Sequence, residues 1–150
     1  MPIKNRIADF ENEMIEWRHY FHENPELAYK EFNTSKKIVE ILKGFGITNI
    51  EEGIGKTGVV ATLVNGQGKS IGLRADMDAL PIFEENNNKN YKSKINGKMH
   101  ACGHDGHTTM LLGAAKYLSE TKNFNGKVVL IFQPAEEGFA GAKSMIEDGL

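Results

Sequence analysis

The sequence predicts an α/β fold with a mixed sheet, in one domain over residues 1–150. Apolar residues recur at helical spacing near the N-terminus, whereas Gly58–Val64 and Lys127–Phe132 are short apolar runs typical of strands. The helical and strand patterns follow one another as α-α-β-β-α-β-α, the alternation that favours an α/β fold. With 150 residues and 40% hydrophobic side chains, the chain is long enough to bury a core.

Composition excludes several classes of function. A net charge of −2 leaves no basic surface for nucleic acid and no polybasic patch for a membrane. No apolar run is long enough to span a bilayer, and the charged N-terminus lacks the apolar segment of a secretory signal. The single cysteine, Cys102, excludes an internal disulfide and fits a reducing compartment, so we expect a cytoplasmic protein.

Two helices are expected before any strand. Apolar residues from Ile3 to Phe21 are spaced three and four apart, which places them on one face of a helix that Asn24-Pro25 ends. The second helix is expected from about Glu31 to Lys43, with a glycine at its C-terminal cap.

Two short strands are expected next. Gly58–Val64 and Ser70–Ala75 are separated by the glycine-rich Asn65–Gly68, and this pattern predicts a β-hairpin. Gly53–Gly58 matches the dinucleotide pattern G-x-G-x-x-G, but a strand follows it where that motif needs a helix. These glycines therefore favour a tight turn at a strand entrance.

The second half of the chain alternates a loop, a helix, a strand and a helix. Residues 84–98 are polar and rich in Asn and Lys, which indicates a surface loop. A third helix is expected from Asp105 or Gly106 to Thr121. The continuous apolar run Lys127–Phe132 predicts a central strand covered on both faces, and a last helix is expected to begin near Gly141.

Metal-ligating and titratable side chains follow two of the predicted strands or lie just before or at the start of the third helix. They are Asp76, Asp78, His100, Cys102, His104, Asp105, His107, Glu136 and Glu137. Ligands of open α/β sheets bind beyond the carboxyl ends of the strands, where these residues can converge. Thiolate, imidazole and carboxylate together are typical ligands of zinc and similar ions, so the set favours a metal site in which one glutamate binds metal and its neighbour handles a proton.

Alternatives remain open for each residue taken alone. A lone cysteine is often a buried apolar residue, Asp105 could cap a helix, and adjacent glutamates are often solvated. The rival chemistry is a thiol nucleophile, in which His100 or His104 would activate Cys102.

The remaining histidines and one arginine have simpler interpretations. His19 and His22 lie on or near the first helix and are expected to be structural. Arg74 is expected to pair with a nearby carboxylate rather than to anchor a substrate. No spacing argument decides the roles of His100 and His107.

Three sequence blocks resemble the signatures of metal-dependent N-acyl-amino-acid amidohydrolases. The resemblance is to the hippurate hydrolase-like branch of the aminoacylase and carboxypeptidase-like metallopeptidases, and further matching blocks extend it over the whole chain. The blocks are Leu73–Pro81 (LRADMDALP), Met99–Thr108 (MHACGHDGHT) and Ile131–Gly138 (IFQPAEEG), with Trp17–Glu31, Gly53–Ala61 and Gly141–Leu150 also similar.

The resemblance implies a role for each site residue. Cys102 corresponds to a metal-bridging thiolate, and His104 and Glu137 correspond to further metal ligands. Glu136 corresponds to the general base, and Asp78 to a carboxylate that orients a ligand. The implied cofactor is a divalent ion, Zn²⁺ or Mn²⁺ in the first place, with Co²⁺ or Ni²⁺ also compatible. The three ligands are expected to lie within coordinating reach of one another.

The resemblance also implies a three-layer α/β catalytic domain acting on N-acyl amino acids or small peptides. Complete members are more than twice this length, with two further histidine ligands downstream and an inserted lid domain that often dimerises. No histidine of this chain follows His107. We therefore expect the N-terminal part of a catalytic domain without the lid, with a complementary C-terminal chain, or a homodimer in the complete enzyme, as its partner. The alternative is a non-catalytic metal-binding remnant, or half of a split enzyme acting as an interaction module.

Overall fold

A computed structural model describes residues 6–85 and 90–150. No helix within these ranges is both long and apolar enough to cross a membrane. The elements follow in the order α1 (Glu11–Glu23), α2 (Phe32–Gly44), β1 (Ile50–Ile54), β2 (Gly58–Asn65), β3 (Ser70–Asp76), α3 (His104–Thr121), β4 (Gly126–Gln133) and α4 (Gly141–Glu147).

The predicted mixed sheet is confirmed. Its strand order is β1-β2-β4-β3, with β1 antiparallel to β2 and β2 antiparallel to β4. β3 runs parallel to β4, and α3 connects them as the crossover that parallel neighbours require. β4 is therefore an inner strand, as its apolar run predicts.

The predicted hairpin between β2 and β3 is wrong, because β4 lies between these two strands. The hairpin is instead formed by β1 and β2, and the glycines at 53–58 form its turn, as expected from the strand that follows them. The glycine-rich loop after β2 passes the entrance of β4. A Cβ on Gly66 would lie 2.1 Å from Asn125 Oδ1, so glycine permits this close passage.

The core lies between one face of the sheet and the helices α1, α2 and α3. Alternate residues of the strands point into it, as the two-residue period of a strand requires. The fully buried members include Phe21, Ile38, Leu42, Val59, Leu112, Leu130 and Phe132.

The opposite face of the sheet is covered less completely. Met145 of α4 is fully buried and lies against Gly55 and Gly58 of the β1–β2 hairpin. Val129 and Ile131, on the same face of β4, are only half-buried. β4 was expected to be covered on both faces. This expectation is confirmed for the face toward the core, whereas the opposite face is only partly covered.

The later helices agree with the sequence pattern to within one or two residues. The single first helix expected across Ile3 to Phe21 is wrong at its start, because residues 9–10 form a turn and α1 begins at Glu11. α1 ends at Glu23, directly before the predicted stop at Asn24-Pro25. Residues 84–85 and 90–98 form no helix or strand, as expected for a loop. Ile3, and residues 86–89 of this loop, lie outside the described ranges.

Candidate metal centre

The candidate site forms where β3, β4 and α3 meet. Asp76 at the end of β3 pairs with Gln133 at the end of β4, so both parallel strands finish at one edge of the sheet. α3 begins at this edge with His104, and Gly103 before it has φ +83, a left-handed conformation that favours glycine. The sequence segments that follow the two strands therefore converge on the first turn of α3.

His104 is the central residue of this site. Its Nδ1 lies 2.9 Å from the Asp78 carbonyl oxygen and 3.2 Å from Asp78 Oδ1, two acceptors that place the ring hydrogen on Nδ1. Nε2 is left facing carboxylates, with Glu137 Oε1 at 3.8 Å and Glu136 Oε2 at 3.9 Å. These two distances are too long for hydrogen bonds.

The spacing suits an ion between the side chains. Two ligand atoms around a tetrahedral Zn²⁺ are about 3.3 Å apart, close to the separation of Nε2 from the glutamates. Among the described residues, one atom each from His104, Glu136 and Glu137 all lie within 4.8 Å of one another. The chemistry of this donor set, imidazole with carboxylate, fits a divalent metal.

The electrostatics of His104 follow from its neighbours. Burial by itself would lower the pKa of His104, but the hydrogen bond to Asp78 and the charges of Asp76 and Asp78 outweigh it and raise that pKa. Negative charge is therefore concentrated around Nε2. A cation placed there would meet an environment already arranged for positive charge.

Asp78 connects the histidine to the glutamates. It is buried, and its Oδ2 accepts the backbone N–H of Glu137 at 3.0 Å while Oδ1 faces His104. Burial would raise the pKa of Asp78, but these hydrogen bonds and the backbone N–H of Glu136 lower it overall. Asp78 thus remains ionised and contacts both sides of the site.

Cys102 lies on the exposed side of the site, beside Glu137. The expected approach of three ligands is met by His104 and Glu137, whereas Cys102 is in neither group of described residues whose ligand atoms lie within 4.8 Å of one another. A hydrogen bond to the Glu137 carboxylate raises the pKa of the Cys102 thiol, with further contributions from burial and from the charges of Glu137, Glu136 and Asp78. A thiol nucleophile needs the opposite shift, because the reactive form is the thiolate. Without a cation to offset these carboxylates, the surroundings of Cys102 disfavour the thiolate and therefore the thiol-nucleophile alternative, whereas a bound metal ion would stabilise the thiolate.

A second group of potential ligands shares His104. Asp76 Oδ1 contacts His107 Nδ1 at 2.7 Å and lies 3.6 Å from His104 Nε2. Asp76 Oδ2 pairs with Arg74 at 2.9 Å, so the expected pairing of Arg74 with a carboxylate is confirmed. Because the Arg74 cation already neutralises Asp76, this group is a poorer cation site than the one at the glutamates.

Three buried polar residues had no predicted role in this region. Glu31 contacts the loop that carries the glutamates, and Glu84 pairs with His22 beneath α3. His100 is buried and has no hydrogen-bond partner among the described residues. Glu31 and His100 lay inside sequence blocks singled out beforehand, Trp17–Glu31 and Met99–Thr108, whereas Glu84 lay in none.

The sequence of the chain is similar to the sequences of several hydrolases. It is 59% identical to the hippurate hydrolase of Campylobacter jejuni, over all of this chain and 39% of that protein. It is 43% identical to the N-acyl-L-amino acid amidohydrolase of Geobacillus stearothermophilus, over 99% of this chain and 40% of that protein. The chain thus spans about two fifths of the length of these relatives.

The fold also matches a solved structure. The YXEP protein of Bacillus subtilis, a dinuclear metal-binding peptidase from the M20 family, superposes with a TM-score of 0.88 and 43% identity. The match covers 95% of this chain and 40% of that one. In addition, residues 72–150 match the model of peptidase family M20/M25/M40. The chain therefore belongs to peptidase family M20/M25/M40.

Proposed function

We propose that this chain forms the metal-binding part of an amidohydrolase that cleaves the amide bond of N-acyl amino acids. The observation that carries the proposal is the approach of His104 Nε2 to the carboxylates of Glu137 and Glu136, at 3.8 and 3.9 Å. This arrangement leaves room for a cation and supplies a free carboxylate beside it.

Cys102, His104 and Glu137 are the residues that would hold the ion. Thiolate, imidazole and carboxylate suit Zn²⁺ or Mn²⁺, and Co²⁺ or Ni²⁺ are also compatible. The hydrogen bond from His104 Nδ1 to Asp78 leaves the lone pair of Nε2 directed at the site. When bound, the ion supplies Lewis acidity toward a water molecule and the substrate carbonyl.

Glu136 is the proposed general base. Its side chain is 42% exposed, whereas that of Asp78 is fully buried, so Glu136 is the carboxylate that water and substrate can reach. It accepts a proton from the attacking water and delivers it to the leaving amine. Asp78 orients His104 and, through the Glu137 backbone N–H, the glutamate pair.

The substrate class follows from the relatives' names. A hippurate hydrolase and an N-acyl-L-amino acid amidohydrolase are among them, so an N-acyl amino acid is the proposed substrate, with small peptides second. Since the relatives are about two and a half times as long, we expect hydrolysis when a complementary C-terminal chain completes the site. A non-catalytic metal-binding module is the alternative. An exposed Cys102 also favours a reducing, cytoplasmic location.

The two glutamates provide the test. Glu137→Gln should weaken Zn²⁺ binding by at least about tenfold, because an amide is a weak metal ligand. Mutating a residue that only hydrogen-bonds to a metal ligand already weakens metal binding by about tenfold or more. Glu136→Gln should bind Zn²⁺ like the unmutated chain but lower hippurate hydrolysis about 10²–10⁴-fold, because an amide is no base. Binding is measured by calorimetry on this chain.

Hydrolysis is measured on a chimaera in which this chain replaces the matching part of the Campylobacter jejuni hippurate hydrolase. Normal hydrolysis by Glu136→Gln would refute the assigned base. Loss of Zn²⁺ binding in Glu136→Gln and not in Glu137→Gln would reverse the two roles. A chain that binds Zn²⁺ and a chimaera that hydrolyses nothing would favour the non-catalytic module.

A further inference from the structure

The loop over residues 134–140, here called the glutamate loop, joins β4 to α4 and carries Glu136 and Glu137. Two of its non-glycine residues have left-handed backbones, Ala135 with φ +51 and Ala140 with φ +54. Such conformations are unfavourable for residues with a Cβ and persist only where surrounding contacts impose them. The shape of the loop must therefore be held from outside.

One segment holds the glutamate loop near both ends. Glu31 Oε1 accepts the backbone N–H of Ala135 at 2.9 Å, and the Tyr29 hydroxyl donates to the carbonyl oxygen of Phe139 at 2.8 Å. Tyr29 itself has φ +59, so this segment too is held in an unfavourable conformation. The two contacts enclose Glu136 and Glu137.

The same segment also contacts the loop that carries Asp78. The carbonyl oxygen of Glu26 accepts the backbone N–H of Ala79 at 2.8 Å, and Leu27 forms a parallel bridge with Ala79. Residues 26–31 thus lie against both loops whose side chains meet at His104. This stretch of backbone, together with the hydrogen bond from the Glu137 N–H to Asp78, sets the positions of the two loops relative to each other.

Glu31 is an unusual residue for a purely structural position. It is 0% exposed, and burial raises its pKa although hydrogen bonds from Thr57 and the backbone oppose that shift. Its Oε2 accepts the Thr57 hydroxyl at 2.6 Å while Oε1 accepts Ala135. A carboxylate can accept from both directions at once, whereas a glutamine amide would present a donor to one of them.

We propose that Glu31 and Tyr29 are positioning residues of the metal site. They fix Ala135 and Phe139, and the glutamates between them are thereby aimed at His104 and the bound ion. The proposal rests on the proposed metal-binding function, but neither residue touches metal or substrate. Changing them should weaken the site without removing any ligand.

The test compares Glu31→Gln with Glu26→Gln. Glu26 lies in the same segment, and its carboxylate accepts hydrogen bonds only from Asn33 and Thr34 at the start of α2, among the contacts that the structure describes. Glu31→Gln should lower Zn²⁺ affinity about tenfold and speed amide hydrogen exchange at Ala135 and Glu137. Glu26→Gln should lower the thermal midpoint and leave both readouts unchanged.

Tyr29→Phe supplies a milder variant that removes a single hydrogen bond, and it should weaken Zn²⁺ binding a few-fold, less than Glu31→Gln. If Glu31→Gln does not fold, Tyr29→Phe alone tests the proposal. The proposal would be overturned if Glu31→Gln and Tyr29→Phe left both the Zn²⁺ affinity and the hydrogen exchange at Ala135 unchanged. It would also be overturned if Glu26→Gln lost as much Zn²⁺ affinity as Glu31→Gln. If the unmutated chain binds no Zn²⁺, the proposed function fails, and exchange at Ala135 and Glu137 alone decides whether Glu31 positions the loop.

Discussion

Two histidines of this chain sit between carboxylates, and they do so in opposite ways. His104 faces Glu136 and Glu137 across gaps of 3.8–3.9 Å, and we call this group the His104 centre. His22 contacts Asp105 at 2.8 Å and Glu84 at 3.2 Å, and we call this group the His22 centre. The two centres are neighbours, because His104 and Asp105 are consecutive residues of α3.

Exposure separates them as clearly as distance. The Glu84 side chain is 1% exposed, whereas that of Glu136 is 42% exposed. In the His22 centre both ring nitrogens are hydrogen-bonded, and Arg18 adds a further cation 3.3 Å from Asp105. In the His104 centre only Nδ1 is hydrogen-bonded at short range, and Nε2 stays available.

The comparison shows that residue type alone does not identify a metal site. Imidazole and carboxylate groups that contact each other directly satisfy one another and hold the fold together. The same groups held at 3.8–3.9 Å instead of 2.8–3.2 Å, and open to solvent, leave space and charge for an ion. Three predictions follow this contrast, from the largest effect to the smallest.

Replacing each histidine by glutamine should give the largest differences between the two centres, in unfolding free energy and in Zn²⁺ binding. His22→Gln removes the ring that is hydrogen-bonded to two buried carboxylates, Asp105 and Glu84, and the free energy of unfolding should fall by about 3 kcal/mol. His104→Gln should lower it by less than half as much, because buried Asp78 keeps its hydrogen bond from the Glu137 N–H and the two glutamates are partly exposed, yet it should abolish most Zn²⁺ binding. Urea denaturation with a chelator present measures the first quantity and calorimetry the second. Equal destabilisation by the two changes would show that both centres are structural.

Cys102→Ser probes the open side of the His104 centre. A hydroxyl is a poor replacement for a thiolate, so Zn²⁺ affinity should fall about tenfold, with little change in the urea midpoint because Cys102 is exposed. Cys102→Ala serves as the control and should lose at least as much affinity. If all three chains bind Zn²⁺ equally, Cys102 is not a ligand and the centre consists of His104 and the glutamates.

The pH dependence of stability should report the His22 centre. The hydrogen bond to Asp105 raises the pKa of His22 against the opposing effect of burial, and Glu84 raises it further. A raised folded-state pKa stabilises the fold fully below about pH 6.5, the ordinary pKa of an unfolded histidine, and this contribution is lost as the pH rises through the folded-state value.

The difference in unfolding free energy between the unmutated chain and His22→Gln should therefore shrink as the pH rises above about 6.5 and through the raised folded-state pKa of His22. The change should be a fraction of the loss that His22→Gln causes at the lower pH. Asp105, whose pKa is lowered, stays ionised throughout this range and adds no slope of its own. A difference that grows with pH would mean that His22 is neutral in the folded chain.

Local patterns were enough to predict most elements and the neighbourhood of the site. Helical spacing indicated α2 through Ile38, Ile41 and Leu42, and the apolar run before Gln133 indicated β4. Polar residues placed directly after strands indicated where the site lies. β1 (Ile50–Ile54) was not predicted because its sequence is short and acidic, and its residues are mostly exposed in the structure.

The sequence by itself determined the periods of the elements, the family resemblance and the residue types at the site. Tertiary structure alone decided that β4 separates β2 from β3, that His22 meets Asp105, and that Glu31 meets Ala135. The last two contacts join residues 83 and 104 positions apart. Strand order and long-range hydrogen bonds depend on how the elements pack together, and no local spacing or propensity encodes that packing.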